Sequence, residues 1–255
     1  MTALLALLVN GFRESRRNRV TVVVFLFAFV MVFSATFALE LTVVTFARVL
    51  TDLGLGVMGL IAVFLSVFLS TGLLPREIER RTIYMIVSKP VSRSAFLVGR
   101  LLANLATVGF VTAMMVALFL LQMVWEGAPM GAPHAAAIIG LFLEIVVVSS
   151  VGFFFASFSS QFVSAVSTVG LYFVGHLAGD LYRMVHRSKS ELVRYGGEAL
   201  YYLLPNLDRL DFKARATYMD PTPWSEVAAS GAYALGYSVV LIAVACFFFE
   251  RRDFK

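Results

Sequence analysis

Apolar residues in this chain come in long unbroken runs, not in the alternation of a strand or the one-sided stripe of a soluble surface helix. Crossing roughly 30 Å of hydrocarbon at about 1.5 Å per residue takes ~20 mostly apolar residues. Six segments meet that requirement: Val20–Leu39, Leu53–Leu74, Leu101–Trp125, Ala135–Phe158, Gln161–Leu181 and Ala229–Phe249. Each is expected to be helical, because backbone groups in lipid must be paired within the segment. The period-2 alternation of a membrane barrel is absent. Ahead of the first run, Leu4, Leu5, Leu8 and Phe12 recur at helical spacing with arginines beyond them, so residues 1–19 predict an amphipathic helix on the membrane surface. That apolar stretch precedes its positive charges, the reverse of a signal peptide.

Two connections are longer than turns. Pro75–Ser94 predicts a stiff helix that begins near Pro75 and stops before Pro90. The other, about Tyr182–Ala228, predicts short helices broken at Gly196-Gly197 and Pro205, with Tyr195, Tyr201, Tyr202, Tyr218 and Trp224 suited to a lipid–water interface. The whole chain, residues 1–255, is expected to form one transmembrane domain of the all-α class.

Composition narrows the function further. Of 255 residues, 60% are hydrophobic and 15% charged, 24 are Phe, and the mean hydropathy is +0.85. A soluble domain is about 45–50% apolar and about 25% charged. A soluble enzyme, a secreted disulfide scaffold and a disordered module are therefore excluded. The single cysteine, Cys246, leaves no internal disulfide and no Cys-based zinc cluster.

The net charge of +5 is distributed for a membrane and not for nucleic acid. With six spans, one side carries Arg13, Arg16, Arg17, Arg19, Arg76, Arg80, Arg81, Lys89, Arg93, Arg100, Arg251, Arg252 and Lys255. The short loops of the opposite side carry only Arg48, and the long external loop balances its bases with acids. The positive-inside rule then places both termini in the cytoplasm. The expected location is a bacterial inner membrane, crossed several times.

Familiar enzymatic motifs are absent. There is no P-loop, no H-E-x-x-H and no G-x-S-x-G. Gly54-Leu-Gly-Val-Met-Gly59 matches G-x-G-x-x-G but opens a membrane helix, where small residues serve close packing. His176 and Asp180 share a helical face and are expected to form a hydrogen-bonded pair at the outer end of the fifth span; two ligands are too few for zinc.

Glu144 is the one acid deep inside a span. Such a group must face protein or water, or be protonated. Along its helix, Ala136, Gly140, Val148, Gly152 and Ala156 form a row that is small except at Val148 and admits a close neighbour. The fifth span offers partners in Ser164, Thr168, Tyr172, His176 and Asp180. Glu144 is read as a hydrogen-bonding group between helices, with pathway lining as the functional alternative.

The richest stretch is Glu77-x-Glu79-x-x-Thr82-Ile-x-x-Ile-x-Ser88-Lys-Pro90-Val-Ser92-Arg93, followed by Phe96-Leu-x-Gly99-Arg100. It resembles the coupling-helix signature of type 2 ABC exporter permeases, with Arg81 for a frequent Gly and Arg100 for a frequent Lys. The order of elements along the chain resembles that family too, including Leu204-Pro-Asn206-Leu before the last span. The resemblance implies a permease subunit without its own ATPase. It would pair with a second permease subunit and bind separate ABC ATPase subunits, which hold the ATP and Mg; this chain would carry no cofactor and no catalytic residue. The docking positions it implies are Glu77, Glu79, Arg80, Arg81, Thr82, Tyr84, Met85, Ser88, Pro90, Ser92, Arg93 and Arg100. Two other readings remain open: an integral-membrane enzyme acting on lipid through Glu144, His176 and Asp180, and a membrane scaffold without transport. The enzyme reading is weakened by the expectation that these groups lie about half a membrane apart.

Overall fold

The structure, a computed structural model, describes residues 26–33, 46–79, 93–186 and 190–251. Among these every regular element is a helix, with no strand. The helices are α1 (residues 26–33), α2 (Phe46–Glu79), α3 (Arg93–Trp125), α4 (Ala132–Ala156), α5 (Gln161–His176), α6 (Ala178–His186), α7 (Glu191–Leu203), a 3-10 turn Asp208–Leu210, α8 (Lys213–Tyr218) and α9 (Trp224–Arg251). Helices α2, α3, α4 and α9 are long and apolar enough to cross a membrane; a fifth span results if α5 and α6, bent by 56° at Leu177, count as one. The surface helix at residues 1–19 lies outside the described residues, as does most of the first predicted run.

Helix α4 is the hub. It is apolar on all sides, the pattern of a helix enclosed by others, and it packs against α2, α3, α5, α8 and α9. Contacts with α2 ascend together in both helices, from Thr51 with His134 through Gly59 with Leu141 to Ser70 with Gly152, so α2 and α4 run parallel. Helix α9 also runs with α4, as Gly231 meets Leu143 and Phe248 meets Phe154. Helix α3 runs the other way, Asn104 meeting Ser149 and Gly109 meeting Phe142. The short connection at 157–160 returns α5 antiparallel to α4. The row of small residues on α4 does what its spacing predicts: a methyl group on Gly152 would strike the Ser70 side chain, and one on Gly140 the backbone carbonyl of Leu210.

Helix α5 is inverted relative to a soluble helix. Its buried positions are Ser164, Thr168 and Gly175, while Phe162, Val166 and Phe173 face outward. Apolar side chains outside and small or polar ones inside is the arrangement lipid rewards.

Four expectations are corrected. Pro75 does not begin a helix: α2 continues through it to Glu79, although Pro75 cannot donate a hydrogen bond to the Thr71 carbonyl. Residues 80–92 lie outside the described residues. The fifth run is not one straight helix to Leu181 but breaks at Leu177. Gly196-Gly197 does not interrupt α7, because the missing side chain of Gly197 makes room for Val185 of α6. Pro205 does end α7, with Leu204 extended before it.

The fourth correction concerns the long connection, whose second half is not a surface loop. Residues 204–218 enter the bundle, where Leu207, Leu210, Phe212 and Ala216 are buried. The Leu207 N–H donates to the Gly175 carbonyl at 3.1 Å, and the Asn206 N–H to the Tyr233 hydroxyl at 2.8 Å. Irregular backbone at this depth needs such partners.

Candidate functional site

Glu144 lies midway along α4, a helix of 25 residues, with its side chain 2% exposed. Its Oε1 is 3.2 Å from His176 Nε2 on α5, and its Oε2 is 3.7 Å from Lys213 Nζ at the start of α8. Lys213 Nζ is also 3.6 Å from Asp211 Oδ2, and the Lys213 N–H donates to Asp211 Oδ1 at 3.0 Å. The Tyr172 ring packs on the His176 ring with centroids 4.5 Å apart. Two carboxylates, an ammonium and an imidazole are thus drawn together by α4, α5 and the inserted segment.

Local structure fixes the His176 ring. Its Nδ1 is 3.1 Å from the Tyr172 carbonyl, which can only accept, so Nδ1 carries a proton. His176 is the last residue of α5, and Gly175 beside it lets the Pro205 carbonyl approach. Lys213 reaches Glu144 past Gly59, whose missing side chain leaves room for the lysine Cε.

The structure therefore changes the picture of these groups. Glu144 does take its partner from the polar row of the fifth run, at His176. The expected separation of half a membrane is overturned. Counted from the 157–160 connection, Glu144 going back and His176 going forward stand at about the same height. The expected His176–Asp180 pair is also overturned, because the bend at Leu177 breaks the i,i+4 face: Asp180 is exposed and pairs with Arg183. Ser164 and Thr168 are buried but bond the carbonyls one turn back, Ser160 at 2.8 Å and Ser164 at 2.6 Å. They satisfy the helix and leave the cluster to others.

Lys213 and Asp211 were missed in the sequence. The signal was present in Leu210-Asp-Phe-Lys-Ala214, a lysine between Phe212 and Ala214 a few residues after Leu-Pro-Asn. Around it, Asn206 Nδ2 donates to the Tyr201 hydroxyl at 2.9 Å, and Tyr237 donates to the Leu203 carbonyl at 3.0 Å. Arg215 grips Glu226 with two bonds of 2.6 and 2.7 Å. That grip raises the Arg215 guanidinium above its ordinary value. Among the described residues, no three His, Cys, Asp or Glu side chains gather as metal ligands.

Of the implied docking positions, Glu77 and Glu79 fall on the last turn of α2. Arg80, Arg81, Thr82, Tyr84, Met85, Ser88, Pro90 and Ser92 lie outside the described residues. Arg93 opens α3 and donates to the Glu250 carbonyl at the end of α9, 3.1 Å away. Arg100 sits over the Phe96 ring at 5.8 Å. Gly54 packs on Phe119 and Gly59 on Lys213, while nothing approaches Gly56, so the G-x-G-x-x-G match serves helix packing at two of its three glycines. Compared with protein-family models and with curated proteins, the sequence matches none.

Proposed function

We propose that the chain is the permease subunit of an ATP-driven ABC exporter, built of six spans with both termini cytoplasmic. It works as a dimer with ABC ATPase subunits docked on residues 75–94. The observation that carries the reading is the run from Glu77 to Arg100 and its attachment. Helix α2 has 34 residues and α3 has 33, about 50 Å each at 1.5 Å per residue. The hydrocarbon layer takes roughly 30 Å of that. Both helices thus have length to spare at the ends that carry the signature, and they run in opposite directions through the bundle. A push on the connection would pass along two continuous helices. At the same end, Arg93 and Ser94 of α3 hold Glu250 of α9, tying a third helix to the movement.

The two alternatives fit less well. A lipid-acting enzyme gains support from the gathering of Glu144 and His176, but the Glu144 carboxylate itself is buried. A scaffold needs no extended paired helices. Co-purification with a candidate ATPase separates the three. The variant with Glu79→Arg and Arg80→Glu together should lose most bound ATPase while still inserting in the membrane, since truncating one member of an interfacial charge pair costs about 2–5 kcal/mol. Full binding and full transport in that variant would place the coupling elsewhere. Reporter fusions at Met130 and after Lys255 should report opposite sides; the same side for both would end the six-span arrangement.

A further inference from the structure

Glu144, His176 and Lys213 meet in a way that requires one proton more than the ordinary states of two carboxylates, an amine and an imidazole supply. His176 Nδ1 is committed as a donor to the Tyr172 carbonyl. In a neutral imidazole the other nitrogen is then a bare lone pair. Here it lies 3.2 Å from Glu144 Oε1, an oxygen that also only accepts when ionised; both atoms are buried and neither makes a hydrogen bond. Two unprotonated atoms that close repel, and a proton on one of them turns the contact into an attraction. Lys213 sits on the other oxygen of Glu144, at 3.7 Å, and favours the ionised carboxylate. The extra proton accordingly belongs to the ring.

Asp211 is exposed, so solvent meets its charge. Lys213 stands 3.7 Å from Glu144, beyond hydrogen-bond reach, and Glu144 Oε1 has no donor. An imidazolium at His176, 3.2 Å away, brings a second positive charge to that oxygen. The facing titratable groups are Tyr172 on α5 and Asp211 on the inserted segment. From α2, Gly59 approaches Lys213 without charge, and Asp52 stands against α8 with its Oδ1 3.5 Å from the Thr217 hydroxyl. The Tyr172 ring lies 4.5 Å from the His176 ring, tilted by 51° to it.

We propose that Glu144, His176 and Lys213 form a one-proton binding site inside the bundle, and that the bound proton holds residues 204–218 between α4 and α5. The site stands independently of the exporter reading. Its three members come from three elements, one of them the inserted segment. Loss of the proton turns the His176–Glu144 attraction into repulsion and leaves Lys213 alone to hold the carboxylate. The closed arrangement therefore binds one proton more than the released one, and it is favoured at low pH and weakens as pH rises.

The test is hydrogen exchange of residues 204–218 in the full-length protein in lipid nanodiscs, across about pH 5 to about pH 9, corrected for the intrinsic rate. One linked proton predicts opening that rises by up to about tenfold per pH unit once the ring of the released state has lost its proton, and that levels off when the closed site has lost it too. His176→Gln, which keeps a donor for Glu144 but cannot titrate, should remove this slope. Glu144→Gln should remove it too, since no carboxylate remains to hold the imidazolium. His134→Gln, away from the site, should keep it. A flat wild-type profile would overturn the proposal, and so would an undiminished slope in either site variant that retains wild-type exchange in α9.

Discussion

His134 is buried and His176 half-buried in the helix bundle, and the chain treats them in opposite ways. At His134, Nδ1 accepts from the Gly131 N–H at 3.4 Å, so the proton must sit on Nε2. Nε2 donates to Thr51 Oγ1 at 3.3 Å, and the Thr51 hydroxyl is left to donate to Met123 Sδ at 3.9 Å. Every donor has an acceptor, in one direction, with a neutral ring. At His176, Nδ1 donates to a carbonyl and Nε2 meets a carboxylate, so a neutral ring fails. The first centre ties the start of α4 to α2 and α3 and involves no charge. The second ties α4, α5 and the inserted segment together by charge alone. Which atom approaches Nδ1 decides whether a histidine in the bundle is a fixed dipole or a proton site.

The largest effect should come from breaking the charged centre from one side. Glu144→Leu leaves His176 without its counter-charge and Lys213 with Asp211 alone, and should lower stability by about 3 kcal/mol. A sharp drop in the thermal midpoint or in monodisperse yield from detergent would register it. Adding Lys213→Met to Glu144→Leu should recover a large part of that loss, because removing both members of a buried pair costs far less than removing one. A double variant as unstable as the single one would mean that Lys213 is not bound electrostatically to Glu144.

At the neutral centre, Thr51→Val deprives only one N–H of its acceptor and should cost about 1 kcal/mol with no dependence on pH. Smallest of all is Arg215→Ala. Arg215 and Glu226 are 38% and 44% exposed, so solvent and salt screen their well-formed pair to about 0.5 kcal/mol or less. A loss at Arg215 equal to that at Glu144 would remove the distinction between the buried and the exposed anchor of the inserted segment.

What the sequence made legible follows the physics of each element. Long apolar runs with a fixed length requirement located α2, α3, α4 and α9, with both ends of α4 within three residues, whereas α2 extends past its run at both ends and α3 and α9 begin earlier, where polar residues continue the helix beyond the apolar stretch. The small row around Glu144 foretold close approaches at Gly140 and Gly152. Two kinds of information were missing. The bend at Leu177 has no proline to mark it, since Leu177 keeps helical backbone angles and the turn comes from packing against residues 205–207. The entry of residues 204–218 was hidden because a run with Asp208, Arg209, Asp211, Lys213 and Arg215 reads as solvated. Its charges are neutralised by partners distant in sequence, Glu144 for Lys213 and Glu226 for Arg215. The shared height of Glu144 and His176 is different in kind, because counting residues outward from the 157–160 connection yields it from the amino-acid order alone.

The most direct test of the contrast between the two centres is the nitrogen-15 spectrum of both rings in the full-length protein in nanodiscs at about pH 7, assigned with His134→Gln and His176→Gln. The predicted result is two protonated nitrogens on His176 and one, Nε2, on His134. A His176 ring with a single protonated nitrogen beside an ionised Glu144 would contradict the account.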